Sequence, residues 1–336
     1  MKKINPVLSP ILNRMNRDDG VSYYQVRHHT RFRYTEPIIE SYMQVWMEPL
    51  NDRYQRCSSF SIVTDPVSNP LKYTDYAGNT VNHFNIPTQH SQLTIKTESI
   101  VERRVSPELP ETLELAQWEL FDSLQSDIQF WDFLKPSQFA TPTDQLIAFE
   151  QELKLARTED PLNLLRWLNT TIYESFQYQS NSTEVDSPID DALISRQGVC
   201  QDFSHIMITL VRRLGIPCRY VSGYLFHRPN QDRSMEDASH AWVEAWLPTL
   251  GWIGFDPTNN LIAGERHIRV AIGRDYADVP PTSGVYRGEA TSELDVGVQI
   301  MKIEDHQPVP KMLLNEIKWD PQSSDEIGSI FQQQQQ

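Results

Sequence analysis

Gly198-Val199-Cys200-Gln201-Asp202-Phe203-Ser204-His205-Ile206-Met207-Ile208-Thr209-Leu210-Val211-Arg212-Arg213-Leu214-Gly215-Ile216-Pro217 is the stretch on which the reading of this chain turns. Phe203, Ile206, Met207, Leu210, Val211 and Leu214 recur at the three- and four-residue spacing of one helical stripe, which predicts a helix over 200–214 with that face buried. Arg212 and Arg213 sit in its last turn, and Gly215 followed by Pro217 stops it. Three strand candidates come next, at Arg219–Phe226, His240–Leu247 and Trp252–Asp256. The short connection Pro248-Thr249-Leu250-Gly251 makes the last two an antiparallel hairpin. A helix feeding an antiparallel sheet is the α+β pattern.

Cys200 follows Gly198 and opens the helix, off the apolar stripe. Unpaired N–H groups and the positive end of the helix dipole favour an anion there, so this position lowers a thiol pKa from its usual value of about 8.5. The same N–H groups, that of Cys200 included, can donate to the oxyanion formed when a thiolate attacks an amide carbonyl. His205 lies five positions on, about 140° further round the helix, and points elsewhere. His240 starts the strand His240-Ala241-Trp242-Val243-Glu244-Ala245-Trp246-Leu247, and alternation places it on one face with Trp242, Glu244 and Trp246, a face expected to border a cleft. Asp256 ends the antiparallel neighbour just before Pro257, near the same end of the sheet. A nucleophile, a base and a group that orients the base are the three parts such chemistry needs. Cys57 and Cys218 have no comparable placement and read as packing.

In order, Gly198-Val199-Cys200-Gln201-Asp202-Phe203-Ser204-His205, Ala238-Ser239-His240-Ala241-Trp242-Val243-Glu244 and Gly251-Trp252-Ile253-Gly254-Phe255-Asp256-Pro257-Thr258-Asn259 resemble the cysteine, histidine and aspartate motifs of the transglutaminase-like superfamily. Leu214 to Tyr224 and Gly273 to Pro281 continue the resemblance, and His28-Thr30-Tyr34 and Tyr73-Gly78-Asn79 extend it toward the N-terminus. The form it is similar to is the bacterial one with a β-rich N-terminal domain. The resemblance implies a papain-like core and places the family's nucleophile, base and orienting residue on Cys200, His240 and Asp256. Cys218 stands where a small residue such as alanine is the expectation, and the glutamine run at the end has no counterpart.

Outward from this centre, 21–105 reads as a β-sandwich, with strand-like runs at Tyr24-Val26-His28, Ser59–Val63 and Gln92–Ile100 broken by prolines and by Ala77-Gly78-Asn79. Leu113, Leu115, Leu120, Leu124, Leu146, Leu153, Leu164, Leu165 and Leu168 give helical spacing between Glu111 and Phe176. The expected organisation is therefore an N-terminal β domain (21–105), a helical bridge (106–160), a papain-fold core (161–305) that includes a last strand at Val296–Ile303, and a loosely ordered tail (306–336).

Composition narrows the function. Across 336 residues, 45 acidic side chains against 30 basic ones leave a net charge of −15, which repels nucleic-acid backbones. Met1 to Gly20 lacks the apolar stretch of a secretory signal, and no run approaches a membrane span. Three sparse cysteines fit a reducing cytoplasm, in which sequons at Asn169 and Asn181 carry no meaning. No acidic calcium loop and no Cys-x-x-Cys zinc motif is present, so no metal or cofactor is expected, although a site from Cys200, His205 and His240 is a minor alternative.

The expected function is amide hydrolysis of a peptide or protein through a thioester. Transamidation or deamidation of glutamine, and a catalytically silent interaction protein, are the alternatives. Trp242, Trp246 and Trp252 are either core or walls of a dry tunnel, and the loop Asp275–Pro281 is either a cleft edge or plain surface. Gln177, Tyr178 and Gln201 are unranked candidates for a second oxyanion donor.

Overall fold

The computed structural model describes residues 20–304 except 114–116, 159, 181, 184–185 and 236–237. The expected tail, the polar segment before residue 20, Leu115 and the sequon asparagine at 181 lie outside the described residues. The chain opens with six strands, β1 (Val21–Ile38), β2 (Glu40–Val45), β3 (Gln55–Asp65), β4 (Leu71–Thr74), β5 (Thr80–Ile86) and β6 (His90–Arg104). Helices α1 (Gln117–Leu124), α2 (Trp131–Leu134), α3 (Asp144–Leu153) and α4 (Pro161–Ser175) follow. The short strand β7 (Gln177–Tyr178), helix α5 (Ile189–Ser195) and short strand β8 (Gln197–Gly198) lead into helix α6 (Cys200–Arg213). Strands β9 (Cys218–Leu225), β10 (His240–Leu247), β11 (Gly251–Asp256), β12 (Leu261–Ile262) and β13 (His267–Gly273) come next, and β14 (Thr282–Arg287) and β15 (Ser292–Ile303) close the chain.

The fold class is that of an α+β protein with a papain-like core and a β-rich N-terminal region. The core sheet runs in the order β12-β11-β10-β9-β13, and α6 packs on it. Two four-stranded sheets, β15-β1-β6-β3 and β14-β2-β5-β4, form the N-terminal sandwich. The sequence groups 161–305 with the core, yet β14 pairs with β2 and β15 pairs along its whole length with Tyr23–Tyr34 of β1, so residues 282–303 return to the sandwich. Strand character is local, whereas the sheet a strand joins depends on partners more than two hundred residues away.

Helix α6 departs from the expected one-faced pattern. Every side chain from Gln201 to Arg212 is buried, so the helix runs through the core, with the sheet on one side and α2 to α5 around it. Its polar members are satisfied as burial demands. Ser204 donates to the Cys200 carbonyl and Thr209 to that of His205. The Arg212 guanidinium donates to the carbonyls of Cys218, Lys135 and Arg274, and so ties the end of α6 to three neighbouring segments.

The sandwich and the core share apolar packing: Tyr224, Ile268 and Val270 of the core sheet lie in the same cluster as Tyr24, Val26 and Leu93. Side-chain amides complete the contact. The carboxamide of Gln55 donates to the Arg269 carbonyl and accepts from its N–H, and that of Asn79 does the same with Ile272. Strand β13 is a sheet edge, and these amides occupy backbone groups that an edge otherwise leaves open.

Candidate active site

The site is built where α6 begins and where β10 and β11 meet. Val199 caps α6, and the Asp202 carboxylate accepts its N–H at 2.8 Å, holding the first turn closed. A side chain at residue 198 has no room: a Cβ there would stand 2.9 Å from the Asp202 carboxylate and 3.0 Å from the Phe203 ring. Glycine thus lets β8 turn directly into the helix, which leaves Cys200 partly exposed at the first helical position. Asp202 itself is buried, and burial pushes its carboxyl up to about 6 against hydrogen bonds from Thr183 and Val199.

His240 and Asp256 are drawn together by the antiparallel pairing of β10 with β11. His240 Nε2 lies 2.8 Å from Asp256 Oδ2, and the ring also hydrogen-bonds to the Cys200 sulfur, with Nδ1 the nitrogen left for that contact. Burial works against the imidazolium, but the Asp256 charge, its hydrogen bond and the sulfur outweigh it and raise the ring to about 10. These neighbours favour the charged form of the ring. Burial also works against the Asp256 carboxylate, yet His240 and His267 hold it well below the usual range.

Asp256 is held from all sides. Its Oδ1 accepts the backbone N–H groups of Thr258 and Asn259, at 3.0 and 3.2 Å. Its Oδ2 accepts from the Asn259 side chain at 2.9 Å and faces His267 Nε2 at 3.2 Å, besides His240. The Asn259 side-chain oxygen in turn accepts the N–H groups of Arg233 and Ser234, joining the 227–239 loop to this turn. Arg233 donates to the carbonyls of Thr258, Tyr173 and Phe176 and lies over the Tyr173 ring, which ties the turn to the end of α4.

The neighbouring residues sort differently from the sequence expectation. The strand face that begins with His240 does not continue as a cleft wall. Trp242 is fully buried and stacks behind His240 at 6.1 Å between centroids. Room for its indole comes from Gly223, where a Cβ would stand 2.6 Å from the ring; at 254 a Cβ would instead stand 2.4 Å from Ala263. Glu244 is buried among Arg219 and Arg269, whose charges outweigh the burial that raises its carboxyl and hold it low. Trp246 and Trp252 pack against Phe130, and Trp252 also meets Phe133, both phenylalanines supplied by the α2 segment. That segment covers the face, which strand alternation alone does not reveal.

His205 sits away from the pair. Its Nε2 accepts the Tyr276 N–H, its ring stacks on Phe139, and burial lowers it to about 4, so it is neutral and committed. The loop 275–281 is held in place rather than lying loose on the surface: the Asp275 carboxylate is buried and accepts the Phe139 N–H. The Cys200 sulfur instead faces the phenols of Tyr178 and Tyr220, both raised first by burial and then by the sulfur. Gln177 is exposed, Gln201 is buried at the start of α6, and Tyr178 packs beside Cys200.

His240, Asp256 and His267 bring one nitrogen or oxygen each within 4.8 Å, a spacing open to a metal ion. The 2.8 and 3.2 Å separations are those of N–H···O bonds, however, and the Gly264 N–H that meets His267 Nδ1 leaves the proton of that ring on Nε2, pointing at Asp256. Cys200 and His205 form no such group with His240 among the described residues. Asn259 stands inside a motif visible in the sequence, three residues after Asp256, whereas His267 lies eleven residues beyond it in no motif and is found only through the fold.

Residues 24–102 match the bacterial transglutaminase-like N-terminal region, and residues 148–257 match the transglutaminase-like superfamily core. A protein of Mycobacterium leprae is 33% identical over 287 residues, 83% of this chain and 98% of its own length. The chain belongs to the transglutaminase-like superfamily. A Mycobacterium tuberculosis protein is likewise 33% identical, over 85% of this chain and 94% of its own. Both mycobacterial relatives are named as uncharacterized. The protein-glutamine gamma-glutamyltransferase of Pseudomonas aeruginosa is 28% identical over 169 residues, 47% of this chain and 25% of that protein. A Cytophaga hutchinsonii structure, described as that of a "Putative Cysteine Protease", superposes with a TM-score of 0.69 at 21% identity over 85% of this chain and 92% of the other, a likeness in fold. Membership of this superfamily agrees with cysteine-based catalysis.

Proposed function

We propose that this protein hydrolyses a peptide or isopeptide amide, with Cys200 as nucleophile, His240 as acid and base, and Asp256 as the group that orients His240. The observation that carries the reading is the 2.8 Å contact of His240 Nε2 with Asp256 Oδ2, made by a ring that also bonds the Cys200 sulfur at the start of α6. The sulfur attacks the amide carbonyl carbon, and the oxyanion forms against the N–H groups of the first turn of α6. His240 gives its proton to the departing amine, leaving a thioester on Cys200. Water, deprotonated by His240, attacks the thioester, and the acid leaves as the thiol is restored. Asp256 keeps the ring turned and its positive charge stabilised throughout.

A second reading, transfer of a glutamine acyl group to an amine, is favoured by the enzyme name of the Pseudomonas aeruginosa relative. Hydrolysis is preferred because Trp242, Trp246 and Trp252 are committed to packing and none of them walls off water. The compartment we propose is the reducing cytoplasm, supported by three free cysteines, and cell fractionation tests it. No helix among the described residues is long and apolar enough to cross a membrane.

The function is tested with a library of peptide, glutamine and isopeptide amides, with and without an added primary amine, on the native protein and on Cys200→Ala. Loss of all turnover in the variant is the expected result. Residual turnover in Cys200→Ala ends the nucleophile assignment. Product that carries the amine in place of acid favours the transfer reading. No turnover of any amide, together with ordinary thiol reactivity at Cys200, points to an interaction protein on this fold.

A further inference from the structure

The catalytic reading leaves one buried titratable group beside the site without a role. His267 begins β13, is 3% exposed, and stands with its Nε2 3.2 Å from the oxygen of Asp256 that also bonds His240. It arrives there from far off in the sheet. Strand β13 lies at the edge opposite β11, and the chain crosses the end of the sheet from β12 through Gly264 to bring His267 back over Asp256.

Three contacts fix the ring. The Gly264 N–H meets Nδ1 at 3.3 Å, so Nδ1 is the acceptor and the proton resides on Nε2, aimed at Asp256. The Trp242 indole stands edge to face with the ring at 5.1 Å. Strand β13 itself is held by the Gln55 and Asn79 amides of the sandwich, which bond Arg269 and Ile272 of that strand.

We infer that His267 is a positioning residue for the hydrolysis proposed above: its Nε2–H secures Asp256 as a correctly turned carboxylate, so that His240 keeps its alignment with Cys200. The inference rests on that catalytic reading for its consequence, though not for its geometry. Asp256 is fully buried, and a buried carboxylate stays ionised only when donors surround it. Of the side-chain donors on Oδ2, His240 must move protons during turnover and Asn259 is shared with the 227–239 loop. His267 remains as the donor with no other partner to serve on that nitrogen. Burial holds the ring neutral against the pull of Asp256, with His240 and Arg266 opposing its protonation as well. A neutral donor does not compete with His240 for the charge. The arrangement also gives the sandwich a part in the site, because the strand that carries His267 is anchored by Gln55 and Asn79.

The groups that bear on Asp256 are His240 from β10, His267 from β13 and, at longer range, Arg233 from the 227–239 loop. Removing the His267 donor raises the Asp256 pKa. A depressed carboxylate pKa supports function above it and loses that support only as the pH falls through it; His240, Asn259 and two backbone N–H groups still hold Asp256 well below the usual range in such a variant, so the loss is read in turnover at neutral pH.

The test compares His267→Gln, which keeps a side-chain N–H, with His267→Met, of similar size and without one. The expected result is a fall of about 10- to 100-fold in kcat for His267→Met with KM little changed. His267→Gln recovers most of the loss. Equal behaviour of the two variants overturns the inference. Iodoacetamide labelling of Cys200 against pH, read by mass spectrometry, runs in parallel and needs no substrate. If no amide is turned over but the Met variant alone shifts the labelling profile, the positioning role stands and the hydrolysis reading falls. A measurement on the unaltered protein covers the case in which neither variant folds. Nitrogen-15 spectra of the imidazoles at pH 7 should show His267 as the neutral form with its proton on Nε2, and a neutral ring with its proton on Nδ1 overturns the inference.

Discussion

Two cysteines bracket α6, and their surroundings give them opposite chemistry. Cys200 stands at the first helical position, partly exposed, with the His240 imidazole beside its sulfur. Cys218 enters β9 fully buried, and burial pushes its thiol up to about 12 even though Arg212 lies close. Cys218 belongs to the apolar cluster against which Cys200 packs, and both are free. On the proposed reading, what sets the two thiols apart is a helix start, a neighbouring imidazole and an opening to solvent, while residue type supplies only the sulfur. Cys57 falls on the Cys218 side of the comparison, since burial raises its thiol to about 12 as well.

The strongest way to break this contrast is to remove the base. In His240→Ala, labelling of Cys200 by iodoacetamide at pH 6 to 7 should slow to the level of Cys57, and kcat should fall by about 10² to 10⁴. Cys200 that keeps its lead over the other thiols would show that the imidazole is not what distinguishes it. Mass spectrometry of the digested protein reports all three cysteines at once.

A smaller effect comes from the entry of the chain into α6. In Gly198→Ala the new Cβ meets the Asp202 carboxylate and the Phe203 ring. The first turn must then shift, with an expected cost of about 1–3 kcal/mol in denaturant unfolding. A displacement of Cys200 by even a fraction of an ångström lowers turnover further, by up to about 10²-fold. Unchanged unfolding would mean that Phe203 gives way freely.

The smallest effect belongs to the other cysteine. Cys218→Ala should leave turnover and the labelling of Cys200 as they were, and should destabilise the fold by about 1 kcal/mol through the space left in the core. Alanine is also the small residue that the resemblance leads one to expect at this position. Loss of activity in this variant would show that the far end of α6 is coupled to its start.

Strands β10 and β11 and helix α6 were legible in the sequence nearly to the residue, because their apolar periodicities are strong and glycine and proline punctuate them. Of the site, Cys200, His240 and Asp256 are brought together where the order of helix start, strand start and strand end suggested. The pairing of β14 and β15 with the sandwich was not legible, since nothing local to those strands names their partners. The packing of Trp246 and Trp252 against the α2 segment, and the burial of Glu244 between two arginines, were hidden for the same reason.

The sequence alone set out the elements and pointed to Cys200, His240 and Asp256 as the candidate site, for these depend on spacing, capping and chain direction over short distances. Only the tertiary structure decided that α6 is buried on all sides, that the sandwich amides close the β13 edge, and that His267 completes the shell of Asp256. Each of these is a meeting of residues remote in sequence, and hydrogen bonds and packing between such residues leave no periodic trace in either segment alone.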